Sequence, residues 1–439
     1  MDTPICDFVH RYAESGTLRL HMPGHKGHGP LGFEALDITE VAGADSLYEA
    51  DGIIAQSERN AAALFGCPTF YATEGSSQCI RAMLHLATCG RNRNIAAARN
   101  VHKTFLSAAA LLDLAVDWLY PENEGAYLCC DLSAEALEAY FATCVEMPAA
   151  VYVTSPDYLG NVLDISALAA VCHRHGALLL VDNAHGAYLK FLPGSRHPMD
   201  QGADLCCDSA HKTLPVLTGG AYLHIRDTAL ARQAKDALVL FGSTSPSYLI
   251  LQSLDAANVI LDDPAYIRKL VALSFLANGV RQQLSKHGIN ASHGNEPLKI
   301  TLYPRMYGYT GTEMADALRA NGIECEFADP DFLVLMLTPA ITENDLQRLV
   351  EVLTVIPCRA PILTEVPVIG RPAKVLSIRE ALLSPAETIP VSESQGRILA
   401  AASVGCPPAV PILVCGERID ENAIRCFQYY GIETVTVVK

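Results

Sequence analysis

The segment Ala149–Asp182, AAVYVTSPDYLGNVLDISALAAVCHRHGALLLVD, decides the architecture. Its two ends, Ala149–Thr154 and Ala177–Asp182, are short, almost wholly apolar runs, which read as strands buried on both faces. Between them Asp164 stands as a helix cap, and apolar residues recur at helical spacing from Ile165 to His175. Gly176 then occupies the position just past the helix end. Strand, helix and strand in this order form a βαβ unit, the building block of a mostly parallel sheet with helices on both faces. The expected class is α/β.

Working outward, the same alternation of short apolar and longer helical runs extends from about Thr69 to Arg226. Beyond residue 260 the pattern changes. Leu298–Tyr303 reads as a strand, Thr312–Asn321 as a helix stopped by Gly322, and Glu324–Phe327 and Phe332–Leu337 as two further strands. Thr342 caps a helix reaching about Leu353, with Asp345 at its third position. These elements predict a smaller α+β domain. The expected division is an N-terminal arm and loop segment (1–65) with a short helical pattern near Ile54–Leu64, a large α/β domain (66–260), the small domain (261–356) and a tail module (357–439). The tail begins with a Pro-rich linker, Pro357–Pro372.

Composition narrows the function. Half of the 439 residues are apolar, ample for a large core, and the net charge of -16 is spread without any basic run. Nucleic acid and anionic membranes are therefore not expected partners, since both demand clustered Lys and Arg. No apolar run approaches bilayer length. The start MDTPICDFVHRYAES lacks the basic flank and apolar core of a signal peptide. With fifteen cysteines and no C-x-x-C, this predicts a reducing, cytoplasmic setting in which thiols are small core residues and no structural zinc is held. His21, His25 and His28 share a Gly/Pro loop without paired carboxylates, so no metal site is expected.

The chemistry concentrates in Leu205–Ile225, LCCDSAHKTLPVLTGGAYLHI. Lys212 stands between two short apolar strands, the placement a Schiff-base lysine needs to keep its amine deprotonated at a fixed distance from an aldehyde. A lysine alone is more often a surface residue, but Asp182 adds to the case. It ends a buried parallel strand thirty residues upstream, where such sheets bind ligands, and a carboxylate there suits the nitrogen of a pyridine ring. Its structural reading is a cap for the turn Asn183–Gly186. Ala184 is small enough for a flat ring to lie against it. The run Thr73-Glu74-Gly75-Ser76-Ser77-Gln78 follows a strand and opens a helix at about Cys79, the setting of a phosphate-binding turn; no nucleotide P-loop is present. His102 could stack on the same ring or simply cap a helix. Lys103 is the rival lysine, without a strand on each side.

Together these residues resemble the Orn/Lys/Arg decarboxylase family of fold type I, pyridoxal-phosphate-dependent enzymes related to aspartate aminotransferase. LHMPGHKG (Leu20–Gly27) with Asp37–Glu40, VDNAHGA (Val181–Ala187), SAHKTLP (Ser209–Pro215), Ser243–Tyr248, GYTG (Gly308–Gly311), SIREAL (Ser377–Leu382) and CGERI (Cys415–Ile419) carry the resemblance over nearly the whole chain. It implies a mostly parallel seven-stranded sheet in the large domain. It also implies pyridoxal 5'-phosphate bound to Lys212, with Asp182 on the ring nitrogen, His102 on the ring face, and Ala184 and His185 beside it. Ser76, Ser77, Ser209 and His211 would surround the phosphate, with His211 also able to move protons, and Thr244 would reach the phosphate of a neighbouring subunit.

The implied reaction is decarboxylation of a basic L-amino acid (arginine, lysine or ornithine) by a homodimer or tetramer with shared sites. The large members' receiver-like N-terminal domain is not expected in a chain of this length. The sequence departs from the family pattern at Glu74, where members usually carry Asn, at Asn183, where they carry Glu or Ser, and at Tyr188, often His. Transamination or lyase chemistry, with Arg305 gripping the substrate carboxylate, and a regulatory cofactor-binding role remain the alternatives. Glu417, Asp45 and Glu74 are the carboxylates considered for a cationic substrate side chain.

Overall fold

The structure, a computed structural model, describes residues 1–121, 127–292, 294–368, 370–401 and 410–439. Seven strands form the main sheet: β1 (Thr69–Ala72), β2 (Asn94–Ala98), β3 (Ala115–Leu119), β4 (Ala150–Thr154), β5 (Leu178–Asp182), β6 (Leu205–Asp208) and β7 (Ala221–Ile225). Their order is β1-β7-β6-β5-β4-β2-β3. The pairs β5/β6 and β2/β3 are parallel, and β7 runs against both of its neighbours. The sheet is α/β and mostly parallel, as expected. The deciding βαβ unit is present as read: β4, a helix over Ile165–Arg174, then β5. That helix buries Ile165, Leu168, Ala169 and Cys172, the i, i+3, i+4, i+7 stripe of a core-facing helix.

By contact the chain divides into two compact units. The first comprises Met1–Asn92, Ala149–Val151 and Ile165–Arg268; the second comprises Arg93–Pro148, Tyr152–Asp164 and Lys269–Lys439. In the first, the helix Pro4–Glu14 begins on a buried carboxylate, Asp255, which accepts the backbone N–H groups of Ile5 and Cys6 at 2.9 and 3.0 Å. The same carboxylate accepts the Ser57 hydroxyl at 2.5 Å, so the N-terminal helix, the helix Ile53–Phe65 and the helix Tyr248–Asp262 are joined through one acid.

The second unit contains a four-stranded antiparallel sheet in the order β10-β11-β9-β8, formed by β8 (Asn290–Ser292), β9 (Lys299–Tyr303), β10 (Phe327–Ala328) and β11 (Leu333–Met336). The strand expected over Glu324–Phe327 is reduced to Phe327–Ala328. Its pairing with β11 begins only where Asp329 turns the chain by accepting the N–H groups of Asp331 and Phe332. The β8 strand has no alternating pattern of its own and was not anticipated. Thr342 and Asp345 form a reciprocal capping box on the helix Glu343–Thr354, and Thr310 with Glu313 forms another on Gly311–Ala320, each satisfying backbone N–H groups that the first turn leaves without helical partners. The tail pairs β12 (Ala386–Pro390) with β13 (Thr434–Val438) over a cluster that includes Leu399, Ile419, Phe427 and Val437. No helix among the described residues is long and apolar enough to cross a membrane.

Glu296, in this unit, is 3 % exposed, and burial pushes its carboxyl up to about 7 despite the opposing charge of Lys299. A carboxyl raised on folding supports the folded state fully below its ordinary value of 4.5 and progressively less as pH climbs through about 7. Glu296→Gln removes that titration. Urea unfolding should therefore show the unsubstituted chain losing stability relative to the variant between about pH 5 and 8; parallel pH profiles would refute the assignment.

Candidate active site

Strand direction gathers the chemistry on one edge. Because β1 and β6 both run against β7, they run the same way, and β5 is parallel to β6. The C-terminal ends of β1, β5 and β6 thus open on the same side, where the segments 73–77, 182–186 and 209–213 emerge. The register pairs Asp182 with Cys207.

At the end of β1, Gly75 adopts a φ of 72° and starts a helix over Ser76–Thr88, three residues earlier than the sequence pattern suggests. Its N-cap is a glycine with no side chain to cap the first turn, a setting suited to an anion. The turn is tied to the next loop by a 2.7 Å bond from the Gly75 N–H to the Gly219 carbonyl, and the Ser209 hydroxyl donates to that of Ser76 at 2.7 Å. Ser77 lies half-buried in the same first turn.

At the end of β5, Asp182 is 2 % exposed. Its Oδ1 accepts the Ala184 N–H at 3.2 Å, so the carboxylate does cap the turn that follows, and the Cys207 thiol lies 3.7 Å from the same oxygen. Ala184, His185 and Tyr188 are buried around this turn.

After β6 the chain makes one helical turn, Ala210–Thr213, which carries Lys212 rather than leaving it on a strand connection. The Lys212 Nζ lies 3.0 Å from the His185 Nε2. Beside it, the His211 Nδ1 is 3.0 Å from the Gly220 carbonyl; a carbonyl only accepts, so the ring's proton is on Nδ1 and Nε2 is bare. Burial lowers the His211 pKa against the opposing Gly220 bond, and Lys212 lowers it further, favouring that neutral form. The pair offers an amine and a neutral imidazole side by side in sequence.

The remaining expected residues are placed as follows. Thr244 is exposed, next to Ser243, whose N–H is accepted by the Glu74 carboxylate. His102 caps the helix Lys103–Leu112, its Nδ1 accepting the Thr104 N–H at 3.2 Å. The three acids considered for a cationic side chain are all engaged. Glu417 pairs with Arg99 at 2.9 Å, Glu74 accepts Ser243, and Asp45 accepts the N–H groups of Ser46, Asp51, Gly52 and Ile54. Arg305 is held by Asp331 at 3.0 Å. Sequence reasoning missed Asp208, which is fully buried at the end of β6 and bonded to Asn183, His197 and His224. The signal that singled out Asp182, an acid closing an apolar strand, was equally present there.

The Orn/Lys/Arg decarboxylase major domain matches residues 3–300, and the C-terminal domain of the same family matches residues 372–434. This chain belongs to the Orn/Lys/Arg decarboxylase family. The arginine decarboxylase of Bacillus subtilis is 30 % identical over 96 % of this chain and 92 % of its own. The lysine decarboxylase LdcF of Francisella novicida has the same fold, with a TM-score of 0.83 at 17 % identity, over all of this chain and 81 % of that one. Lysine decarboxylase A of Pseudomonas aeruginosa follows at 0.81 and 18 %, over 99 % and 80 %. The Orn/Lys/Arg decarboxylases are pyridoxal-phosphate-dependent amino-acid decarboxylases, and other neighbours in fold are pyridoxal phosphate enzymes.

In this decarboxylase the anion cradle depends on Gly219, whose φ is 102° and where an added Cβ would stand 2.8 Å from the Thr73 carbonyl oxygen. Gly219→Ala should cost about 1–3 kcal/mol of stability in denaturant titration. An unchanged midpoint would show that the turn does not need this close approach.

Proposed function

We propose that the chain decarboxylates a basic L-amino acid (arginine, lysine or ornithine) at the shared C-terminal edge of β1, β5 and β6. The observation that carries this reading is the convergence there of Lys212, with its amine 3.0 Å from His185, the buried carboxylate of Asp182, and the uncapped turn at Ser76. The donor set fits pyridoxal phosphate. A helix N-terminus that opens on a glycine, with the hydroxyls of Ser76, Ser77 and Ser209, suits a phosphate, and a buried carboxylate such as Asp182 suits a protonated ring nitrogen. Ala184, buried beside Asp182 and lacking a bulky side chain, would let the flat ring lie against it.

Lys212 is the attachment point for the aldehyde, and His185 holds its amine in place. When bound, the cofactor supplies the electron sink that accepts the electrons of the Cα–carboxylate bond. Asp182 keeps a proton on the ring nitrogen. The Nε2 of His211, bare in the neutral tautomer, could take a proton from solvent, and His211 or the Lys212 Nζ would deliver it to Cα in place of the departing carboxylate. Similarity to the arginine decarboxylase of Bacillus subtilis favours arginine. A cytoplasmic homodimer is the proposed working form, with the exposed Thr244 facing the neighbouring subunit's phosphate site. Transamination is disfavoured because Arg305, its candidate carboxylate grip, is committed to Asp331.

Purified protein loaded with pyridoxal phosphate and given arginine, lysine and ornithine in turn should release carbon dioxide and one amine. Lys212→Ala should reduce both turnover and the cofactor's visible absorbance to background. Turnover that survives this change would refute the role of Lys212. An oxo acid in place of the amine would indicate transamination, and bound cofactor without product would indicate a regulator.

A further inference from the structure

Behind the edge that carries Lys212 lies a polar cluster that the proposed reaction does not use. Asp208, His197 and His224 have no exposed side-chain surface. The two imidazoles direct Nε2 at one oxygen, Asp208 Oδ2, at 3.0 and 3.1 Å. The other oxygen, Oδ1, accepts the Asn183 amide at 2.6 Å, with the Cys206 thiol at 3.7 Å. The three side chains offer ligand atoms within 4.8 Å of one another, a set that would also suit a divalent ion.

The proton positions decide between these readings. The His197 Nδ1 accepts the Met199 N–H at 3.4 Å, so this ring carries its hydrogen on Nε2, aimed at Asp208. The His224 Nε2 also meets the Asp208 carboxylate, which only accepts, so this ring too carries hydrogen on Nε2, with its Nδ1 2.9 Å from the Thr69 hydroxyl. Burial lowers the His224 pKa, but the Asp208 carboxylate outweighs burial and raises it. Two Nε2–H groups facing the carboxylate leave no nitrogen lone pair for a metal ion.

We propose that Asp208 is a positioning residue for the cofactor edge. Through Asn183 it fixes the corner that aims Asp182, and through its own backbone it fixes the turn that carries Ser209 and Lys212. This rests on the reading of Asp182, Ser209 and Lys212 given above. The corner leaves the ladder at Asn183, whose N–H makes a last bond to the Cys207 carbonyl at 3.0 Å. The side-chain bond to Asp208 is the second staple, and a charged acceptor makes it stronger than an amide–amide contact. The two imidazole N–H groups occupy the Oδ2 of Asp208, which leaves its Oδ1 to hold Asn183. Binding groups need placement to within about 0.5 Å, and a doubly stapled corner supplies it.

Asn183→Ala removes the staple while leaving the Asp–His pairs intact, and Asp208→Asn removes the charge. The apoproteins would be titrated with pyridoxal phosphate, following the visible band, and unfolded in urea without cofactor. Both variants should bind the cofactor about ten-fold more weakly, the loss expected for one charged hydrogen bond. The Asn183→Ala apoprotein should keep an unfolding midpoint close to that of the unsubstituted chain. Unchanged cofactor affinity in Asn183→Ala would overturn the inference, as would a loss of affinity that merely follows unfolding of the apoprotein. A stoichiometric divalent ion in the purified chain would overturn the hydrogen-bonded reading. No uptake of cofactor by the unsubstituted chain would overturn the cofactor site itself, and this inference with it; normal uptake by the unsubstituted chain and both variants alike would sink only the latter.

Discussion

The parallel pairing of β5 with β6, Asp182 opposite Cys207, is the constraint on which the site depends. Both strands are buried along their length apart from Leu178, so their backbone groups find partners only within the ladder, and a slip of one residue would turn every side chain to the opposite face. In the observed register one carboxylate closes each strand where the chain leaves the sheet, Asp182 opposite Cys207 and Asp208 one residue further on. The reversal at β7 brings β1 back in the same direction, so its Gly-Ser turn joins that edge as well. Lys212, His211 and Ser209 follow β6 without an intervening loop, which ties their placement to the sheet.

Much of this was legible from the residues because it follows from local rules. Apolar runs without alternation marked strands buried on both faces, and the Asp164 and Gly176 punctuation marked the helix between two of them. Thr342 with Asp345 announced a capping box that the fold contains. What escaped had no local signature. The Asn290–Ser292 strand is three residues of ordinary polarity that become a strand only because β9 offers an edge. His197 belongs to an irregular segment, and nothing in its neighbours says that it meets His224 and Asp208 in the core. The helix at Ser76 begins earlier than its apolar stripe because Gly75 supplies the left-handed turn that starts it.

Buried charge is handled by pairing throughout the described chain. Asp255 gathers two helix N–H groups and a serine hydroxyl, Glu58 meets Lys235, and Glu417 meets Arg99. Each of these acids is pushed up by burial and pulled back by its partners. Asp208 is the exception in sign: two imidazoles on one oxygen outweigh burial and hold it well below the usual carboxylate range. Such pairs are not cheap sources of stability, since desolvation cancels most of the attraction; their value is in fixing geometry. That the clearest case stands directly behind the candidate site is consistent with selection for position.

Two of the three departures from the family pattern, Glu74 and Asn183, also make sense as parts of this arrangement. Glu74 is exposed and accepts the backbone N–H of Ser243, so its charge is solvated and hydrogen-bonded on the loop that carries Thr244. At position 183 a carboxylate would face the Asp208 carboxylate across the 2.6 Å now spanned by a hydrogen bond, and two acids at that distance cannot both ionise. The amide of Asn183 removes this conflict and supplies the donor that Asp208 needs on its second oxygen. Asn183 and Asp208 are thus a matched pair. An amide at position 183 accommodates a second acid one residue from Ser209 and four from Lys212.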